Sequence, residues 1–357
     1  MDITRLLARS IKEGASDLHL SSGLPPLLRI DGDLVRTKLP VLRSNQVKEL
    51  VNEVLNQSQL SSLEEGLEID FSFEVPELAR FRANVFKQNR GYAAVFRSIP
   101  STVPTLRELG LGAIFKEISM LPRGLVLITG PTGSGKSSTQ AAMVDYINNN
   151  RNYHVLTIED PIEFVHESKK SLINQREIGR DTQQFSHALR AALREDPDVV
   201  VIGEMRDLET VRLALTAAET GHLVFATLHT TSAALTINRI IDVFPAEEKD
   251  LVRSMLSDSL QAVVTQTLLK KVDGGRVAAH EIMIGTPAIR NLIREDKVAQ
   301  IYSVIQTGSS LQMKTLDQSL AQLVDEGVVS LETARSKAVF PKHLSKEERS
   351  NLSLQSQ

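Results

Sequence analysis

Eight consecutive residues, Gly130, Pro131, Thr132, Gly133, Ser134, Gly135, Lys136 and Ser137, match the pattern G-x-x-x-x-G-K-[ST] without a mismatch. Glycines in such a turn let backbone N–H groups point inward around an anion, and a helix starting there adds its positive end. Lys136 is then placed to neutralise the β- and γ-phosphates of ATP, and Ser137 to set its hydroxyl on Mg²⁺. Ser138 follows in the first helical turn and is counted with the nucleotide-binding residues. The flanks agree. The apolar run 125–129 is short enough for a buried parallel strand, and 138–148 carries apolar residues at helical spacing.

Hydrolysis also needs a group on the metal and one that orients or deprotonates the attacking water. The run 198–204 reads as a strand of the kind that normally ends in Asp-Glu, but Gly203 stands in the Asp position and only Glu204 remains. A second acid must come from elsewhere, and Asp160-Pro161-Ile162-Glu163, after the strand 154–160, can supply it. Glu204 is assigned to the metal, beside Ser137, and Glu163 to water activation; the reverse assignment is the alternative, with Glu159 orienting either. His229 ends the strand 223–229, where a histidine could sense the γ-phosphate, whereas His222 reads as structural. Arg82 and Arg97 lie on alternating strands. One reading is solvated ion pairs, worth ~0–1 kcal/mol each. The other is arginine fingers reaching a nucleotide held by a neighbouring subunit.

Positioning these groups requires two kinds of architecture. Residues 1–98 read as a small α+β domain: a helix at 2–13, a helix at 45–55 and five short alternating strands, one of them turning at Asp31-Gly32-Asp33. A linker at 99–112, with Pro100 and Pro104, leads to an ATPase domain over 113–341. There strands alternate with helices, the pattern of an α/β fold with a parallel sheet covered on both faces, so that catalytic groups gather at the strands' C-terminal ends. The stretch 246–271 is expected to form one or two amphipathic helices, and 288–295 a helix with Arg290 and Arg294 outside its apolar stripe. Residues 342–357 lose apolar content and read as a tail.

Bulk properties narrow the partners. The formal net charge of −3, and equal numbers of acidic and basic residues in 1–98, argue against a nucleic-acid partner. No cysteine is present, which fits a reducing compartment, and no apolar run approaches the ~18 residues of a membrane span. A cytoplasmic protein without a transmembrane segment is expected.

Taken together, Gly14-Ala15-Ser16-Asp17-Leu18-His19-Leu20, the phosphate loop, 157–164, 203–207 and 227–232 resemble the hallmarks of the type II/IV secretion ATPases, including their Asp box and His box. Ala288-Ile289-Arg290-Asn291-Leu292-Ile293-Arg294-Glu295 resembles the motif of the branch that retracts type IV pili and drives twitching motility. The chain lacks the four-cysteine zinc module of many extension and secretion members. The resemblance implies a RecA-like ATPase core preceded by a PAS-like domain, and a homohexamer with ATP and Mg²⁺ at its sites. It also implies nucleotide contacts from Arg82 and Arg97. Further implications are a platform protein of the inner membrane as peripheral partner, and cytoplasmic location at the pilus base. The alternatives are an accessory retraction paralogue or a related secretion or pilus-assembly ATPase.

Overall fold

The computed structural model describes residues 2–30, 32–66, 68–99 and 102–344, except the side chains of Ser58 and His343. The expected turn at Asp31, Pro100 of the expected linker and the tail beyond residue 344 lie outside those residues. The chain divides into two compact units, Met1–Thr102 and Val103–Gln357.

In the first unit, Asp2 caps α1 (Ile3–Lys12) by accepting the Arg5 N–H, and Ile3, Leu6 and Leu7 form its buried stripe. The remaining elements are β1 (Asp17–Ser21), β2 (Leu27–Ile30), β3 (Asp33–Arg36), α2 (Ser44–Asn52), α3 (Gln57–Gly66), β4 (Glu68–Val75), β5 (Ala79–Gln88) and β6 (Gly91–Ile99). They form a six-stranded sheet in the order β3-β2-β1-β6-β5-β4, and every pairing is antiparallel. Period-two alternation sends Phe81, Ala83 and Val85 into the core and leaves Arg82 on the opposite face. Strand β3 and helix α3 were not expected: all four residues of β3 are exposed, so it carries no apolar alternation. His19 is half-buried, and burial lowers its pKa.

The second unit begins with α4 (Ala113–Ser119), β7 (Gly124–Thr129), α5 (Lys136–Asn150), β8 (His154–Glu159), β9 (Leu172–Glu177), α6 (Phe185–Ala192) and β10 (Val199–Ile202). It continues with α7 (Leu208–Glu219), β11 (Leu223–Leu228), α8 (Ala233–Asp242), α9 (Lys249–Ser259), β12 (Leu260–Lys270) and β13 (Arg276–Ile284). Four helices follow: α10 (Pro287–Arg294), α11 (Ile301–Thr307), α12 (Leu316–Asp325) and α13 (Leu331–Arg335). The sheet order is β13-β12-β7-β11-β10-β8-β9. All six residues of β7 are buried. Leu125 and Leu127 face one apolar cluster, with residues of α6 to α10; Val126 and Ile128 face the other, with α4 and α5. Full burial of each such side chain contributes roughly 1.5–3 kcal/mol, which makes β7 a stiff base for the turn that follows.

Two expectations change here. The sheet is mixed, because β13 runs antiparallel to β12 at its edge. The second half of the expected helical stretch 246–271 is the strand β12, parallel to β7. Residues 262–266 are all buried, so no polar face marked the period. Val263, Val264, Thr265 and Thr267 then favour the extended state. Strand β9, pairing with β8, was also not foreseen.

Candidate active site

The glycine-rich turn leaves β7 at Thr129 and enters α5 at Lys136. Gly130 has φ 141°, and a Cβ there would lie 2.2 Å from the Gln266 carbonyl oxygen, so no other residue fits. Gly135, at φ 88°, is the N-cap of α5 and offers no side-chain cap, which leaves the first-turn N–H groups to an anion. The hydroxyl oxygen of Ser134 is buried and, among the described residues, has no hydrogen-bond partner. Lys136 is 9% exposed, and its Nζ donates to the carbonyls of Gly130 (2.8 Å) and Pro131 (3.1 Å). Burial lowers its pKa, while the charges of Glu204 and Glu163 oppose that shift. A lysine so desolvated gains most from a second negative partner, which is what a phosphate supplies.

From Lys136 a polar chain crosses the ends of three adjacent strands. Its Nζ lies 3.4 Å from His229 Nδ1, just past β11. His229 Nε2 lies 3.1 Å from Glu204 Oε1, just past β10. Arg206 grips the same carboxylate from the other side, Nε at 2.6 Å from Oε1 and Nη2 at 2.7 Å from Oε2. The arrangement suits the Nε2–H tautomer of His229. Burial pushes the Glu204 pKa up, but the bonds from Arg206 and His229 outweigh it and the net shift is downward. Glu204 is thereby held as a carboxylate.

Glu163 arrives from the turn after β8, the neighbour of β10. Among the described residues no hydrogen bond or ion pair engages its carboxylate, although its charge is felt at Lys136. The turn is stapled from both sides. The half-buried Glu159 side chain accepts from the backbone N–H of Glu163, from Thr157 Oγ1 (2.6 Å) and from Gln175 Nε2 (3.1 Å). Glu177 on β9, itself buried, accepts the Ile162 N–H at 3.2 Å. Burial raises the Glu159 pKa. Gly203 explains the missing acid: a Cβ there would stand 3.2 Å from both Glu159 Cα and the Ile158 carbonyl oxygen. His222 bonds the Ala217 carbonyl at 3.0 Å, closing the end of α7, a structural role.

In the first unit, Arg82 and Arg97 are directly opposed across β5 and β6. Arg82 forks onto Asp70, at 3.2 and 2.7 Å. Arg97 donates from Nε to Asp17 at 2.8 Å and is otherwise 60% exposed, over a carboxylate only 3% exposed. Asp17 also receives the Ser16 hydroxyl at 2.8 Å. Both guanidinium groups thus sit on one sheet face, each held by an acid.

Sequence reasoning missed Gln175, Glu177 and Gln266, because β9 and the strand character of β12 were missed. Gln266, 3% exposed, donates from Nε2 to the Ser134 carbonyl (2.6 Å) and accepts from Thr139 Oγ1 (2.8 Å). Beside it the hydroxyls of Thr129 and Thr265 bond at 2.8 Å. On α10, Arg290 does more than decorate a surface. It donates to the carbonyls of Gly285 (2.7 Å), Ser257 (2.8 Å) and Asp258, closing the C-terminal end of α9. Arg294 contacts Ser257 and Asp258.

Residues able to hold a metal by themselves are not gathered: among the described residues no group of three or more His, Asp or Glu has a metal-binding arrangement. Mg²⁺ fits this donor set only in the way it usually does, with one or two protein oxygens and the rest from phosphate and water. Among the described residues, no helix is long and apolar enough to cross a membrane.

Residues 1–336 match the family model for type II/IV secretion system proteins. The chain is 69% identical to the type IV pilus retraction ATPase PilT of Pseudomonas aeruginosa, over 96% of its own length and all of that protein's. It is 60% identical to a twitching motility protein of Neisseria gonorrhoeae, over 88% of its own length and 84% of the other. Among solved structures, a crystal structure of the pilus retraction motor PilT with bound ADP superposes with a TM-score of 0.88, at 50% identity, covering 96% of this chain and 99% of that one.

Proposed function

The chain belongs to the type II/IV secretion system protein family, and from that premise we propose that it hydrolyses ATP to drive retraction of type IV pili and hence twitching. The observation that carries the reading is the polar chain Lys136–His229–Glu204–Arg206, which ties the phosphate loop to the ends of two neighbouring strands. It lets the state of the γ-phosphate bear directly on β10 and β11.

ATP binds with its phosphates over the N–H groups of the loop and the first turn of α5, and Lys136 exchanges the Gly130 and Pro131 carbonyls for phosphate oxygens. Ser137 and Glu204 would hold Mg²⁺, which would supply positive charge against the phosphate oxygens. Glu163, with its carboxylate unengaged and its backbone pinned by Glu159, takes the proton of the attacking water. The hydrogen bonds from Arg206 and His229, which hold Glu204 as a carboxylate, suit it to the metal rather than to proton abstraction. His229 reads loss of the γ-phosphate by shifting between Lys136 and Glu204. Arg82 and Arg97 complete the site of a neighbouring subunit in a homohexamer. The assembly works in the cytoplasm against a platform protein of the inner membrane.

The test is cellular and enzymatic together. Lys136→Ala should bring phosphate release to background, and cells carrying only that variant should keep surface pili yet fail to twitch. Normal twitching with a turnover-dead chain would overturn the function, and near-normal turnover would overturn the site.

A further inference from the structure

The phosphate loop is held from behind by a strand whose sequence lies far away, and the contact is made by one amide. Gln266 on β12 is 3% exposed, and its two polar ends are spent on two different parts of the nucleotide cradle. Nε2 donates to the Ser134 carbonyl, inside the turn, at 2.6 Å. Oε1 accepts the Thr139 hydroxyl, one turn into α5, at 2.8 Å. Its backbone is equally close: the Gln266 carbonyl oxygen is what excludes any side chain at Gly130, and Nε2 would stand 2.8 Å from a Cβ at Gly135. Three positions of an eight-residue loop therefore take their shape from one residue.

We propose that Gln266 is a positioning residue for nucleotide phosphate, which fixes the plane of the Ser134–Gly135 peptide so that the N–H group of Gly135 faces the anion. The chemistry is specific to an amide. When the Ser134 carbonyl is drawn back toward β12, the N–H on the other side of that peptide unit points forward, because the peptide is planar and trans. The Ser134 carbonyl can only accept, so the donor end of the amide must face the loop and Oε1 is left to accept from the Thr139 hydroxyl. An apolar side chain of the same length would fill the space and leave both the carbonyl and the hydroxyl unpaired. This inference rests on Gly130–Ser137 being the phosphate cradle.

Gln266→Glu is the informative change, since it keeps shape and the bond from Thr139 but replaces the donor by an oxygen facing the Ser134 carbonyl. ADP binding to the full-length chain, measured by calorimetry, should weaken at least tenfold at pH 8. Burial raises a carboxyl pKa, and the introduced carboxyl can donate again once protonated, so the ratio of variant to wild-type affinity should recover as pH falls toward 6. A purely structural glutamine would change the melting temperature and leave that ratio flat. Gln266→Met is the second variant: it should weaken ADP binding about tenfold at every pH, with no recovery. Combined with Thr139→Val it should show a non-additive effect on ADP affinity, because the two residues share one bond. Wild-type ADP affinity in folded Gln266→Met, or a flat ratio for Gln266→Glu, would overturn the proposal. Lys136→Ala separates the two levels: if it too binds ADP normally, the cradle itself is wrong, whereas if it fails and Gln266 variants bind normally, only the role of Gln266 falls.

Discussion

Restoring the acid that position 203 lacks should damage this protein rather than improve it. An ideal Cβ on Gly203 stands 3.2 Å from Glu159 Cα and 3.2 Å from the Ile158 carbonyl oxygen, with Asp160 N at 3.7 Å. All three are backbone atoms, so no rotamer change can make room. Gly203 cannot retreat either: its N–H donates to the Ile158 carbonyl at 2.8 Å, and its own carbonyl accepts the Thr227 hydroxyl. Separating two hydrogen-bonded strand ends by a few tenths of an ångström is the overpacking case, about 1–3 kcal/mol. For a domain of this size each kcal/mol moves the melting midpoint by about 2–4 °C, so Gly203→Asp should lower it by roughly 2–12 °C. Gly203→Ala should fall at the lower end. The displaced atoms belong to the residues that carry Glu163, so kcat should drop more than KM rises. Calorimetric melting of the full chain, with steady-state phosphate release at about 25 °C, gives both numbers. A Gly203→Asp chain that melts no lower than wild type and turns over faster would refute the steric account.

The two glutamates should separate by phenotype. Glu163→Gln should bind Mg·ATP and hydrolyse it about 10²–10⁴-fold more slowly, while Glu204→Gln should raise the Mg²⁺ concentration needed for half-maximal turnover; exchanged phenotypes mean exchanged roles. Mixing inactive Lys136→Ala with inactive Arg97→Ala should restore partial activity, because some interfaces then pair an intact loop with an intact arginine; silence in proven co-assemblies places the arginines outside the shared site. His280, buried against Phe115, is lowered from the ordinary 6.5 to about 4 by burial, with the Lys314 charge adding to it. Between those values the unfolded chain binds more protons, so stability is present above pH 6.5 and is lost as pH falls, by about 2 kcal/mol at pH 5; urea midpoints at pH 7 and 5 should converge in His280→Leu. Arg290→Ala should cost about 1–3 kcal/mol by stripping the carbonyls of Ser257 and Gly285, whereas Arg294→Glu, at an exposed pair, should leave melting and ATPase nearly unchanged and abolish twitching.

The phosphate loop was readable because its chemistry is local: eight adjacent residues, a strand before and a helix after. The strand-end acids and His229 were readable for a related reason, since parallel sheets collect C-terminal ends and each run stopped at an ionisable residue. What escaped was long-range. Gln266 lies in a segment whose complete burial erased the polar face that would have set its period. Gln175 and Glu177 sit on a strand with too few apolar residues to announce itself, and they matter only through hydrogen bonds to β8 and the turn after it. Arg290 was visible as a charge on a helix, but its partners are carbonyls of another helix, which no side-chain pattern encodes.

The distance along the chain between the loop and β12 sets a timetable for synthesis. Ser134 and Gln266 are 132 residues apart. At the usual 5–20 residues per second, the ribosome needs about 7–26 s after finishing the loop before its rear wall exists. Throughout that interval the edge of β7 that β12 will cover has no strand to pair with, and until β11 is made the other edge has none either. The strand carries Leu125, Val126, Leu127 and Ile128, all fully buried in the finished fold, and an unpaired apolar edge is a template for aggregation. Protection in that window falls to whatever meets the chain outside the exit tunnel.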